Sequence, residues 1–113
     1  MTCKEAIDFA DQVAPNALSD ELKYQFLNEA EGAVQTGVLL LSQVETVKYT
    51  PSRPNDVLLA DPPHDKLYWQ YVTAMIHFAN ADYDRYQNTM QMYNESLAEF
   101  MRWYAQNFRP ADR

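Results

Sequence analysis

The run DYDRYQNTMQMYNESLAEFMRWYAQNF, residues 82–108, decides the fold. Its large apolar and aromatic residues are Tyr83, Tyr86, Met90, Tyr93, Leu97, Phe100 and Tyr104, spaced alternately three and four apart. That spacing is the a/d stripe of an amphipathic helix. A strand, whose side chains alternate with period two, cannot present it. At about 1.5 Å per residue the helix would be roughly 40 Å long, enough for one end to project beyond a domain of this size. Such a helix needs partners, supplied by the shorter helices before it or by other copies of the chain.

Working back from this helix, Asn80-Ala81-Asp82 reads as a tight turn, with Asn80 as the left-handed residue and Asp82 as the cap of the long helix. A third helix is predicted over 65–79, capped by Asp65, with Leu67, Tyr68, Tyr71, Val72, Met75, Phe78 and Ala79 buried and Trp69 and Ile76 widening the stripe. At the chain start, Thr2 and Glu5 have the spacing of a capping box, and Pro15 disfavours helix at Ala14, so a first helix spans 2–13. Its predicted buried stripe is Ala6, Ile7, Phe9, Ala10 and Val13. Ser19 caps a second helix over 19–41, with Asp20 and Glu21 suited to the positive end of its dipole. Gly32 and Gly37 weaken that helix, each by about 1 kcal/mol relative to Ala, marking a stop or bend near Gly37 or a close backbone approach at Gly32.

Between these helices, residues 42–64 lose all periodicity and carry Pro51, Pro54, Pro62 and Pro63. Brief extended segments fit 44–49 and 57–60. A connection this long is uncommon in a compact domain unless it is functional, and its Val57-Leu58-Leu59 triplet needs a surface to cover. The expected fold is therefore all-α: one bundle-like domain of four helices, with a long C-terminal helix and a long irregular loop between helices two and three.

Composition narrows the function. Two glycines in 113 residues argue against a turn-rich β fold. A net charge of -7 disfavours direct binding to nucleic acid or an anionic membrane surface. Cys3 is the single cysteine, so an intrachain disulfide is impossible. No signal-peptide pattern opens the chain, and the aliphatic run 38–41 is far short of a membrane span, so synthesis in the cytoplasm is expected.

Chemistry-bearing motifs are sparse. His64 and His77 have no histidine partner at helical spacing, and a metal site would require one of them to converge with Asp61 or Asp84. Cys3 has no neighbouring base. Glu95 and Glu99 stand four apart but lack the Glu-x-x-His partners of a di-iron bundle, and read as a solvated face. The tyrosines lie on helical stripes and read as core. No glycine-rich phosphate loop occurs. Neither catalysis nor a cofactor is expected.

Several stretches resemble small head-tail connector (adaptor) proteins of tailed bacteriophages: Thr2-x-Lys4-Glu5-Ala6-Ile7, Pro15-Asn16, Pro62-Pro63-His64-Asp65-x-Leu67-Tyr68, Asn80-Ala81-Asp82-Tyr83-Asp84-Arg85-Tyr86-x-Asn88-x-Met90 and Phe100-x-x-Trp103. One departure is Ala81, where the family pattern leads one to expect glycine. The resemblance implies a helical virion subunit that forms a ring, typically of twelve, beneath the portal and joins the filled head to neck or tail proteins. It implies no catalytic residue, cofactor, metal or membrane. The candidate subunit or portal contacts are Val57, Leu58 and Leu59 on the loop, with Trp69 and Trp103 as aromatic anchors. A soluble helical regulator that binds another protein would share these composition features.

Overall fold

A computed structural model describes residues 1–38 and 48–107. Helix α1 spans Cys3–Val13, α2 Asp20–Gly32, α3 Lys66–Ala79 and α4 Tyr83–Asn107, with a π-helical turn over Ala33–Val38 following α2. The protein is all-α. Helix α3 is central and packs against α1, α2 and α4, whereas α4 packs along α3 and touches the π-helical turn. At 25 residues α4 is about 37 Å long and runs along a molecule whose longest dimension is 48 Å.

Local chemistry sets most helix ends. The Thr2 hydroxyl accepts from the Glu5 N–H (3.2 Å), and the Glu5 carboxylate accepts from the Thr2 N–H (2.8 Å), completing the capping box. The Ser19 hydroxyl accepts from the Leu22 N–H (3.2 Å), and the Asp82 carboxylate accepts from the Arg85 N–H (3.3 Å). Helix α1 stops at Val13, and Ala14, the residue before Pro15, leaves the helical region at φ -134°. Asp65 occupies the start of α3 without capping it through its side chain; its carboxylate lies 3.5 Å from the Met1 amine instead.

Three further expectations about the helices and their turn are corrected. First, the buried stripe of α1 is Cys3, Ala6, Ile7 and Ala10, continued by its cap Ala14, while Phe9 and Val13 are 43% and 48% exposed. Small side chains at this spacing bring α1 close to α3, and Phe9 packs from the side on Trp69 with ring centroids 4.6 Å apart. Second, α2 changes to π-helix at Ala33, and residues 39–41 of the predicted helix lie outside the described residues. A Cβ added at Gly32 or Gly37 would meet nothing within 4 Å, so neither glycine serves close backbone approach. Third, Asn80 keeps φ -87°, and Ala81 is the left-handed residue at φ 61°. The Ala81 N–H reaches the Phe78 carbonyl (3.0 Å) and the Asp82 N–H reaches the His77 carbonyl (2.9 Å). This is the paired bonding of a Schellman ending, which places the left-handed residue one position after the cap.

The stripe of α4 divides by exposure. Tyr93 and Phe100 are buried, Tyr86, Met90, Leu97 and Tyr104 are half-buried, and Tyr83 is 55% exposed. On α3, Leu67, Tyr68, Val72 and Ile76 are buried as their spacing implies, but Phe78 and Ala79 are exposed near the hairpin tip.

Candidate functional site

The connection after residue 47 is held down by α2. The Asn28 side chain donates to the Tyr49 carbonyl (2.9 Å) and accepts from the Tyr49 N–H (2.8 Å), giving one residue both hydrogen bonds of a strand pairing. One helical turn on, Glu31 is fully buried. Its Oε2 accepts from the Tyr49 hydroxyl (2.8 Å) and the Leu59 N–H (2.9 Å), and its Oε1 accepts from the Tyr68 hydroxyl (2.6 Å). The Tyr68 oxygen in turn accepts from the Ala60 N–H (2.8 Å). Burial, reinforced by the Glu31 charge, pushes the Tyr49 and Tyr68 hydroxyls well above their ordinary range, so both remain donors.

The same segment closes over the start of α1. The Cys3 and Lys4 N–H groups, which have no partner within their own helix, donate to the carbonyls of Asp56 (2.9 Å) and Pro54 (2.8 Å). The Leu58 N–H donates to the Met1 carbonyl (3.0 Å), and Thr2 and Val57 form an antiparallel bridge. Extended backbone here alternates its side chains: Val57 is 63% exposed, Leu58 1%, Leu59 38% and Ala60 0%. Leu58 therefore belongs to the core of the single chain and cannot serve as a partner contact, a correction to the apolar triplet. Val57 and Leu59 remain at the surface.

Leu59 meets Trp103 in a pocket of about 130 Å³, also bordered by Asp61, Pro62, His64, Phe100 and Tyr104. The His64 ring lies 5.1 Å from Phe100 and 4.9 Å from Trp103, and Phe100 stacks on Trp103 at 6.2 Å. His64 is buried and its Nδ1 has no hydrogen-bond partner. The position of the pocket follows from the hairpin. Lys66, the first residue of α3, lies 3.8 Å from Glu99, so residues 100–107 of α4 run about 12 Å past the end of α3. The segment 59–64 packs beneath this overhang.

Of the other contacts read from sequence, Trp69 is half-buried and lies against Phe9 of α1, and it does not border the Trp103 pocket. The structure thus brings Leu59 and Trp103 to one pocket that Trp69 does not border. The pocket walls contributed by His64 and Pro62 were missed as site residues. Their signal was the placement of Pro62-Pro63-His64 directly before α3, opposite Phe100-x-x-Trp103.

Burial, aided by the nearby charges of Asp56 and Glu31, pushes the Cys3 thiol up to about 12, far from a reactive thiolate at neutral pH. Among the described residues, no group of three or more His, Cys, Asp or Glu could hold a metal ion, and no helix is long and apolar enough to cross a membrane. The arrangement can receive an apolar or aromatic side chain. Comparisons with protein-family models, curated proteins and solved structures return no match.

Proposed function

We propose that this chain is a head-tail connector subunit of a tailed bacteriophage, assembling as a ring beneath the portal and joining the head to neck or tail proteins. The carrying observation is the Leu59–His64–Phe100–Trp103 pocket at the overhanging end of α4, which offers a concave aromatic surface to a neighbouring chain. Exposed aromatic residues beside a pocket are favoured anchors of protein interfaces. Support also comes from the sequence resemblance and from a net charge of -7, which suits a subunit beside packaged DNA that must not retain it. On this reading the protein acts through structure rather than catalysis.

The test uses capsids lacking this protein, from a phage whose genome encodes it. Added protein is expected to co-sediment with the capsids and form a ring at the portal vertex by electron microscopy. Combining Leu59→Asp with Trp103→Ala should abolish co-sedimentation while leaving helical content intact. Failure of the unaltered protein to bind, or full binding by the variant, would refute the reading.

A further inference from the structure

The outward side of α4 carries charges in an order suited to pairing with itself. Glu95, Ala98, Arg102 and Ala105 follow one another at spacings of three, four and three, with Met92 and Glu99 beside them. All but the half-buried Ala98 are exposed. Arg102 has no ion pair among the described residues: Glu99, one turn away, lies 3.8 Å from Lys66 instead, and Glu95 is two turns away.

Behind Glu95 and Glu99 runs a groove of about 240 Å³ between α3 and α4, also lined by Lys66, Gln70, Met92 and Ser96. Gln70 is 5% exposed, and its Oε1 has no hydrogen-bond partner. A buried carbonyl oxygen without a donor is unfavourable, and a guanidinium offers several donors in one planar group. The groove therefore lacks the donors that a guanidinium carries, and Arg102 of the same helix is not among the residues that line it.

We propose that α4 pairs antiparallel with α4 of a second copy, about a two-fold axis between Ala98 and Glu99. In that register Glu95 faces the partner's Arg102, Met92 faces the partner's Ala105, and Ala98 faces the partner's Glu99. The partner's Arg102 then lies at the mouth of the Gln70 groove, between Glu95 and Glu99. The two-fold axis repeats each contact, so one complementary pair supplies two. A small residue near the axis lets the helices approach closely. The contact is confined to one pair of helices, so the dimer is weak and depends on concentration. The inference concerns the free protein and is independent of portal docking, so failure of docking leaves it unchanged.

Sedimentation velocity from micromolar to millimolar protein tests it, with circular dichroism to check that each variant is folded. The unaltered chain should shift from monomer to dimer. Arg102→Glu and Glu95→Arg should each weaken association at least about tenfold, because each replaces two attractions by two repulsions. Arg102→Gln should also weaken it, without reversing a charge. The combined Glu95→Arg and Arg102→Glu variant should regain dimerisation, since each reversed residue again meets its opposite. Ala98→Cys should oxidise to a disulfide-linked dimer, whereas Asp84→Cys, far from the axis, should not. A chain that stays monomeric throughout, a dimer insensitive to both single reversals, or a combined variant no better than either would overturn the proposal.

Discussion

Replacing Glu31 by Ala should destabilise the protein more than any surface substitution. The side chain is fully buried and accepts three hydrogen bonds: Tyr49 hydroxyl at 2.8 Å, Leu59 N–H at 2.9 Å and Tyr68 hydroxyl at 2.6 Å. Truncation leaves those three donors facing an apolar cavity. Tyr49 keeps only a 3.5 Å contact with the Val57 carbonyl, and Leu59 keeps none. Each orphaned buried donor costs about 1–3 kcal/mol. Removing the carboxylate also relieves the cost of burying a charge, which offsets part of that loss. A net destabilisation of about 3–5 kcal/mol is expected, against a typical total of about 5–15. Glu31→Gln keeps the shape and one acceptor and should cost about 1–3 kcal/mol. Urea unfolding followed by circular dichroism measures both. A double-mutant cycle of Glu31→Gln with Tyr68→Phe should show coupling above about 0.5 kcal/mol, as expected for groups in contact. A midpoint for Glu31→Ala within error of the unaltered protein would show that the carboxylate does not hold the connection, and the reasoning would fail.

Three further outcomes are expected. Ala81→Gly should stabilise the protein by about 0.5–1 kcal/mol, because glycine removes the strain of a left-handed alanine (φ 61°) at some cost in unfolded-chain entropy, whereas Asn80→Gly should not; melting curves of the two compare them directly. Leu58→Asp should unfold the chain while Val57→Asp leaves its denaturation midpoint nearly unchanged, since 1% and 63% of the two residues are exposed; equal effects would contradict the alternation. Stability should fall as pH rises from the ordinary thiol value of 9.0 towards about 12, because the unfolded chain releases the Cys3 proton while the folded chain keeps it. The slope is at most about 1.4 kcal/mol per pH unit for one proton, and Cys3→Ala should reduce it in denaturation series at successive pH values.

What could be read from sequence was whatever depends on near neighbours. Thr2 with Glu5, Ser19, Pro15 and Asp82 set helix ends through bonds or steric clashes within a few residues, and the stripe of α4 follows from its own spacing. Long-range partnerships were hidden. Glu31 has no local pattern that marks it, and its partners lie 18, 28 and 37 residues away. The stripe of α1 was misread because Phe9 and Val13 outweigh Cys3 and Ala14 in hydrophobicity, while close packing against α3 favours the smaller side chains. Leu58 was placed in an apolar triplet, although the extended backbone separates it from Val57 and Leu59 by pointing it the opposite way. At the site, Leu59 and Trp103 were named from residue type, but their meeting depends on how far α4 overruns α3, which no local pattern encodes.

The carbonyls of Pro54 and Asp56 that receive the first N–H groups of α1 also bear on the order of folding. The capping box satisfies only part of the first turn, and the remaining donors wait for chain about fifty residues downstream. A segment of eleven residues is too short to hold helix alone in water. The beginning of the chain is therefore finished by its middle, and fraying of α1 and lifting of residues 54–58 form one opening event with a single free energy. Amide exchange at Cys3, Lys4 and Leu58 should report that shared event as closely matched protection, and a fragment ending at residue 38 should remain unstructured even though it contains two complete helical sequences.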